Sequence, residues 1–205
     1  MLVVVGGHSR NIGKTSVVCG IIRRLKAHNW TALKITQYGS GTCGNSEHAC
    51  ECAPDGDSPF ALTEEYEKNK TDSGRYLAAG AERSFWLRTP AGRLFEAADL
   101  VRKIVDKSQN CIIESNSILE YFDPDVFLMV MDFGCEDFKA SSLQFIDRAD
   151  GFVVIDQGIN APLWDAVASG LWDQKPQFPI KPPVYVTAAI TDFIKAKMPA
   201  GAPAA

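Results

Sequence analysis

The stretch that decides the fold is LVVVGGHSRNIGKTS, residues 2–16. An apolar run is followed by a glycine pair and then by Gly13, Lys14 and Thr15, the pattern of a strand that leads into a phosphate-binding loop. Such a loop must approach a polyphosphate closely, which favours glycine. The lysine supplies positive charge for the outer phosphates, and the threonine hydroxyl is a ligand for Mg²⁺. A helix that begins at Lys14 adds its N-terminal dipole. The stretch therefore predicts nucleotide binding.

The predicted loop is one residue longer than usual. A common loop has a glycine five positions before its glycine–lysine pair, and here that position holds His8. Counting from Gly7 gives glycine, five residues, glycine, lysine and threonine. The alternative to a phosphate loop is a Gly-Lys-Thr sequence that occurs in a turn by chance. The alternative to phosphate contact by His8 is a histidine that is simply exposed to solvent. We expect the nucleotide to contact these loop residues: Gly7, His8, Ser9, Asn11, Ile12, Gly13, Lys14, Thr15 and Ser16.

This spacing resembles the loops of dethiobiotin synthetase and the cobyrinic acid a,c-diamide synthase group. Those proteins belong to the dimerising branch of P-loop proteins, which includes the molybdopterin-guanine dinucleotide biosynthesis protein B (MobB). Residues 70–75 (KTDSGR) and 78–81 (AAGA) resemble the Lys-Asp-Ser-x-Arg and Ala-Gly-Ala segment of MobB. Residues 111–114 (CIIE) resemble the strand that delivers its acidic residue to the Mg²⁺ site. After this glutamate the chain has Ser-Asn-Ser, where MobB usually has glycine.

The resemblance implies a P-loop NTPase fold, a homodimer with nucleotide near the subunit interface, and roles for several residues. It places Asp72 near the metal and Arg75 at a phosphate or at the dimer partner, although the two could equally form a surface ion pair of little energetic value. In dethiobiotin synthetase-like proteins a lysine near the end of the second strand points at phosphate and substrate, and Lys34 is similar to it in placement. Asn116 follows Glu114 in the same loop and is a candidate substrate contact.

Glu114 and Lys34 are also candidates from the residues alone. Glu114 ends an apolar strand, at the edge where open α/β sheets bind ligands, so it can hold Mg²⁺ or polarise a nucleophile. A capping or turn residue is the alternative. Lys34 lies inside an apolar strand, where a lysine is costly without an anionic partner, unless it is on an exposed face. We expect catalysis from Lys14, Lys34 and Glu114, and Mg²⁺ binding by Thr15 and Glu114.

Composition limits the class of protein. At 205 residues, with 46% hydrophobic and 22% charged residues, the chain is typical of one globular domain. A net charge of −4 argues against a nucleic-acid surface. Apolar runs are too short to cross a bilayer, and the sequence starts with a core strand rather than an export signal. We therefore expect a cytoplasmic protein without nucleic-acid or membrane partners.

Apolar runs alternate with helix-like stretches, which predicts an α/β three-layer sandwich with a mainly parallel sheet flanked by helices. We expect a single domain over 1–198, a flexible tail over 199–205 and an extended surface connection over 172–183. An insertion at about 38–71 is expected to lack regular structure. The predicted strands are 2–5, 32–36, 84–87, 111–114, 126–131, 151–155 and 184–186. The predicted helices are 14–28, 73–79, 94–108, 141–148, 163–171 and 188–198.

The insertion concentrates possible soft ligands. Cys43, His48, Cys50 and Cys52 lie within ten residues and could hold Zn²⁺ or an iron–sulfur cluster. Their spacing matches no common zinc finger, and loop thiols without metal are the competing interpretation. The other cysteines, Cys19, Cys111 and Cys135, are expected to be small core residues.

These features favour Mg²⁺-dependent binding and slow hydrolysis of ATP or GTP by an accessory factor of cofactor biosynthesis, with a cofactor-synthesis enzyme as partner. The alternative is an ATP-dependent ligase that activates a small carboxylic acid, with a small-molecule substrate. A metal or redox sensor is a third hypothesis, because the cysteine insertion could act as its input.

Overall fold

The computed structural model describes residues 1–39, 58–159, 161–164 and 167–199. In these ranges the sheet has eight strands in the order β3-β4-β2-β5-β1-β6-β7-β8. All neighbouring strands are parallel except the antiparallel pair β3 and β4. The strands are β1 (Leu2–Gly7), β2 (Trp30–Tyr38), β3 (Ala61–Glu65), β4 (Arg83–Pro90), β5 (Asn110–Glu114), β6 (Val126–Asp132), β7 (Gly151–Ile155) and β8 (Gln177–Ile180).

Helices cover both faces of this sheet. The α-helices in the described ranges are α1 (Lys14–Arg24), α2 (Asp72–Ala79), α3 (Ala98–Lys107), α4 (Ala140–Phe145) and α5 (Ala188–Ala196). Helices α1, α2 and α5 share one apolar core with Val3 and Val5 of β1, whereas α3 and α4 share the other with Leu2 and Val4. Alternate residues of β1 thus enter opposite cores, as the period of a strand requires. The predicted α/β three-layer sandwich is confirmed.

The sheet register places the end of β5 level with β1 on one side and with the middle of β2 on the other. Val5 of β1 is level with Glu114 of β5, and Glu114 is in turn level with Lys34 of β2. Parallel neighbours that are level with each other direct their side chains to the same face. The carboxyl edge therefore gathers the first loop, the candidate carboxylate and the candidate lysine, and this edge is the usual ligand site of an open α/β sheet.

Three sequence predictions about elements were wrong. The insertion contains a regular strand, β3, because Ala61–Glu65 pairs along the edge of β4. Residues 163–171 do not form the predicted helix in their described part, where only Ser169–Leu171 is a short 3₁₀ turn. Here Trp164 and Val167 are buried in the core, and Gly170 interrupts the helical pattern.

The third error concerns the last strand. Residues 184–186 contribute only an isolated bridge between Lys181 and Val184, and the strand is Gln177–Ile180 instead. Its alternate residues Phe178 and Ile180 are buried, and its proline is tolerated because β8 is an edge strand. The predicted surface connection over 172–183 therefore contains part of the sheet. Trp172 in the same segment is also buried.

Several expectations fall outside the described residues. Cys43, His48, Cys50 and Cys52 all lie in the gap at 40–57, so their metal binding stays a prediction. The same holds for the tail after residue 199. Of the other cysteines, Cys19 and Cys111 are buried, as expected, and Cys135 is half-buried. Within the described ranges, no helix combines the length and the apolar character needed to cross a lipid bilayer.

Gly6 provides a test of how tightly β1 is packed. A Cβ atom at Gly6 would lie 2.2 Å from the side-chain oxygen of Asn116 and 2.8 Å from the ring of Phe127. We expect Gly6→Ala to lower the free energy of unfolding by about 1–3 kcal/mol, the usual cost of overpacking. Gly170→Ala is the control, because nothing lies within 4 Å of its added Cβ. Urea denaturation of both variants measures the difference, and equal stability of the two would contradict this packing.

Candidate functional site

The loop between β1 and α1 has the backbone of a turn built for glycine. Gly13 has a φ of +87° and is the N-cap residue of α1, and Asn11 has a φ of 55°. The Gly13 carbonyl accepts the first helical hydrogen bond from the Val17 N–H at 3.0 Å. A Cβ at Gly13 would also lie 2.7 Å from the Tyr185 ring. Both the positive φ and this close approach favour glycine, so α1 can begin directly at Lys14 with its N-terminus at the loop.

Asn116 holds the start of this loop. Its side-chain oxygen accepts from the Gly7 N–H at 2.9 Å, and its side-chain nitrogen donates to the Gly7 carbonyl at 3.0 Å. The same nitrogen lies 2.8 Å from the hydroxyl of Ser142, which itself donates to the Gly7 carbonyl at 2.7 Å. A serine and an amide from two other elements therefore fix the loop entrance. The role that the contacts support for Asn116 is positioning of the loop.

Lys14 lies inside the curve of the loop. Its ammonium donates to the backbone carbonyl of Ser9 at 2.6 Å. Burial, and secondly the charge of Lys139, lowers the pKa of Lys14 to about 8. A bound anion would favour the charged form of this lysine and raise that pKa. The loop thus holds a partly desolvated cation where a phosphate would contact it.

Glu114 accepts hydrogen bonds from three different elements. Its Oε2 accepts from the Thr15 hydroxyl at 2.7 Å and from the Tyr76 hydroxyl, and its Oε1 accepts from the Lys34 ammonium. Glu114 is only 2% exposed, so these donors replace the water that its carboxylate has lost. The structure brings together all three residues from which catalysis was expected, although Lys14 touches the loop carbonyl rather than the carboxylate.

Lys34 lies between two carboxylates. Its ammonium is 2.9 Å from Asp72 Oδ2 and also contacts Glu114. Burial disfavours this charge, but the two carboxylates outweigh burial and raise the pKa of Lys34 above its usual value. For Asp72, burial is likewise outweighed, mainly by Lys34, and its pKa is lowered. The two groups therefore stay charged at neutral pH.

Tyr76 was missed by the sequence analysis. It is fully buried, and burial together with the Glu114 charge raises its pKa well above the usual value, so its hydroxyl stays protonated and donates. The available signal was its position in α2, four residues after Asp72. Residues at this spacing share one helix face. This face of α2 therefore presents both residues to the same cluster.

Arg75 lies at the other side of the cluster. Its guanidinium donates to the Ser16 hydroxyl at 3.0 Å and lies 3.6 Å from Asp72. The surface pair with Asp72 is thus present but long, and the shorter contact is to the helix that follows the loop. Arg75 and Ser16 both line the main cleft described below.

The side chains of His8 and Ser9 point away from the loop interior. His8 is fully buried, with its ring centroid 4.7 Å from that of Trp164 and 5.0 Å from that of Phe138. Burial lowers its pKa, so the imidazole is neutral at pH 7. The Ser9 hydroxyl donates to Asp137 at 2.6 Å. The expected side-chain contacts of these two residues with phosphate are therefore not supported by this placement, because both side chains are engaged in packing the loop against the segment after β6.

The oxygen atoms around Thr15 fit a Mg²⁺ ion. Mg²⁺ prefers oxygen ligands and, in nucleotide sites, takes one or two from the protein and the rest from phosphates and water. The Thr15 hydroxyl and the Glu114 carboxylate are in contact, and Asp72 lies beside them with a side chain that is 37% exposed. No group of three or more His, Cys, Asp or Glu residues in the described ranges could hold a metal alone. Phosphate oxygens would therefore have to complete the ligand set.

These residues border a cleft of about 1180 Å³ at the carboxyl edge of the sheet. One wall is the loop and the start of α1, and another is formed by the ends of β2 and β5. The remaining walls carry Lys139 and Ser141 after β6, Gln157 after β7 and Tyr185 after β8. The lining of the cleft thus extends beyond the phosphate loop to the segments that follow β6, β7 and β8.

Comparisons with known proteins bear on the fold. No protein-family model and no curated protein matches the chain. It is similar to the crystal structure of HypB from Helicobacter pylori in complex with nickel, with a TM-score of 0.52 and 14% identity over 95% of this chain and 86% of that chain. A second structure, the "apo" form of LpxK from Aquifex aeolicus in complex with ATP, gives a TM-score of 0.48 and 17% identity over 87% of this chain and 53% of that chain. This chain thus spans about half the length of LpxK.

The likeness to HypB is a likeness of fold, and it agrees with the strand order, the loop after β1 and the helix that follows it. The chain has the P-loop NTPase fold.

Proposed function

We propose that this protein binds ATP or GTP with Mg²⁺ and hydrolyses it slowly, as an accessory factor in cofactor biosynthesis of the molybdopterin-guanine dinucleotide type. The observation that carries the nucleotide proposal is the convergence of Lys14, Thr15 and Glu114 at the carboxyl edge, around a loop that begins a helix. This arrangement fits a polyphosphate, because the loop offers backbone N–H donors, a helix N-terminus and a desolvated ammonium together.

Each residue has a physical role in this proposal. Lys14 would leave the Ser9 carbonyl for the outer phosphates, since a phosphate is a stronger acceptor for an ammonium than a neutral carbonyl. Thr15 and Asp72 would hold Mg²⁺, which neutralises phosphate charge when bound. Glu114, the other expected Mg²⁺ ligand, would in this proposal hold Thr15 in place, because its carboxylate already accepts from Thr15, Tyr76 and Lys34. Lys34, which its two neighbouring carboxylates keep charged, would face the phosphates or another anionic group of a ligand bound in the cleft.

The hydrogen bonds of Glu114 support slow turnover. A general base must have a free acceptor site within reach of the proton that it removes. Protein donors occupy three of the roughly four acceptor sites of the Glu114 carboxylate, and the residue is only 2% exposed, which leaves little access for a water molecule. We infer that Glu114 acts chiefly by positioning Thr15 and Lys34. A nucleotide switch, in which binding matters more than turnover, agrees with this geometry.

An ATP-dependent ligase is the second candidate, and the size of the cleft favours it. The cleft extends past the phosphate loop to Ser117 and Lys139, which leaves room for a second substrate. Burial, and secondly the charge of Arg10, lowers the pKa of Lys139, so a bound anionic group such as a carboxylate would stabilise the charged form of this lysine.

Hydrolysis assays without co-substrate separate the two functions. Slow basal hydrolysis supports the accessory role, and strong stimulation by one small carboxylic acid favours the ligase.

Lys14→Ala tests the nucleotide site. We expect triphosphate affinity to fall by roughly 10- to 100-fold, the loss of one charge-assisted contact, with a smaller effect on monophosphate. Isothermal titration calorimetry with ATP, GTP and the matching monophosphates measures this. Lys107→Ala, at the exposed end of α3, is the control. Equal triphosphate affinity of wild type and Lys14→Ala would refute the assignment.

Glu114→Gln tests the positioning role. The amide would present a donor to the hydroxyls or the ammonium that now donate to the carboxylate, so we expect turnover to fall more than nucleotide affinity. Tyr76→Phe removes one of the three donors and keeps the ring, and should lower turnover less. Steady-state kinetics give kcat and KM for both variants, and thermal unfolding confirms that they are folded. Unchanged turnover in Glu114→Gln would reduce this residue to a structural role.

The homodimer is proposed from the family resemblance. We expect wild-type protein to dimerise when nucleotide and Mg²⁺ are present, because the related proteins bind nucleotide near the subunit interface. Multi-angle light scattering over a range of protein concentrations measures the mass. A monomer at every concentration, with both ligands present, would remove this part of the proposal.

A further inference from the structure

A second, smaller pocket lies beside the main cleft, on the outer side of α1. Its volume is about 300 Å³. It is lined by residues of α1, by the segment 183–186 and by Arg75 of α2. We name it the arginine pocket, after Arg23, Arg24 and Arg75, which line it.

The charge of the arginine pocket is unbalanced. Three guanidinium groups line it, and no Asp or Glu is among its described lining residues, although the protein as a whole carries a net charge of −4. In the described ranges, neither Arg23 nor Arg24 forms an ion pair, and the nearest carboxylate oxygen to Arg75 is 3.6 Å away, on Asp72. The helix dipole favours basic residues in the last turn of α1, which explains Arg23 and Arg24. It does not explain Arg75, which comes from another helix.

The floor of the pocket adds no negative charge. Cys19 lies there, and burial raises the pKa of its thiol to about 11, against the opposing effect of Arg75 and Arg23. The thiol is therefore neutral at pH 7. Arg75 and Arg23 act to lower the pKa of this thiol, and Glu114 and Asp72, which are not among the lining residues of the pocket, act to raise it.

One side of the pocket is apolar. Val184 is 52% exposed, and Val186 and Pro183 lie next to it in the same wall. The absence of a side chain at Gly20 allows close contact between α1 and this wall, because a Cβ there would lie 2.5 Å from a methyl group of Val186. The lining of the pocket therefore combines cationic donors with a compact apolar surface.

The arginine pocket and the main cleft share Ser16, Arg75 and Tyr185. The hydrogen bond from Arg75 to the Ser16 hydroxyl, 3.0 Å long, lies at their common border. A ligand of the arginine pocket would therefore lie next to a nucleotide without occupying the phosphate loop.

We propose that the arginine pocket binds a small organic anion, a phosphate monoester or a carboxylate with a compact apolar group, beside the nucleotide. Guanidinium groups pair with both kinds of anion through two parallel hydrogen bonds. The exposed valine would cover the apolar part of the ligand, whose burial adds to affinity. This site goes beyond the proposed function, which gives no role to Arg23, Arg24 or the segment 183–186.

Calorimetric titration with phenyl phosphate and with benzoate tests the proposal, and benzyl alcohol serves as the uncharged probe. The protein is first saturated with Mg·ADP so that the phosphate loop is blocked. The same titrations on Lys14→Ala without nucleotide keep the test valid if the nucleotide proposal fails. We expect one of the two anions to bind to both proteins, and benzyl alcohol to bind to neither. The tighter anion then identifies the ligand class.

The matched variants are Arg23→Gln/Arg24→Gln and Lys103→Gln/Lys107→Gln. Each removes two exposed cations near the end of a helix, and α3 lies on the opposite face of the sheet. We expect the arginine variant to bind the anion at least about tenfold more weakly, and the lysine variant to bind it like wild type. Binding of neither anion to the wild type, or equal binding to both variants, would overturn the proposal.

Discussion

A buried carboxylate at the end of β5 connects the parts of this molecule that matter for function. Glu114 accepts from Thr15 at the start of α1, from Tyr76 in α2 and from Lys34 in β2. A carboxylate that is 2% exposed would be costly without such donors, and the donors would be costly without the carboxylate. Since each group depends on the others, the cluster holds α1, α2 and β2 in one arrangement at the carboxyl edge.

The phosphate loop depends on this arrangement at both ends. Thr15, at the end of the loop, donates to Glu114, and Gly7, at its start, is held by Asn116, two residues after Glu114. A short stretch of chain at the end of β5, residues 114–116, therefore fixes the entrance and the exit of the loop. Within the serine–asparagine–serine sequence at 115–117, the structure gives Asn116 a definite role, because its side chain binds both the N–H and the carbonyl of Gly7.

Much of this site could be predicted from the sequence, because the loop motif fixes the order strand, loop and helix. The contact between Lys34 and Glu114 could not be predicted from the sequence, which allowed Lys34 either an anionic partner or an exposed position. It depends on β2 lying beside β5, and neither periodicity nor motif spacing specifies which strands are neighbours. His8 shows the opposite case: the motif favoured phosphate contact, but long-range packing against Trp164 and Phe138 decides the side-chain position. Edge elements were the least predictable, because β3 lies within a polar insertion and the prolines around β8 suggested a surface connection.

The central claim is that the Glu114 cluster and the loop it supports form a nucleotide site. Equilibrium dialysis of the wild-type protein against radiolabelled ATP and GTP, each with and without Mg²⁺, tests this most directly. The account predicts saturable binding of one nucleotide per chain for at least one of the two, with weaker binding when Mg²⁺ is removed. Absence of saturable binding for both nucleotides in the presence of Mg²⁺ would contradict it.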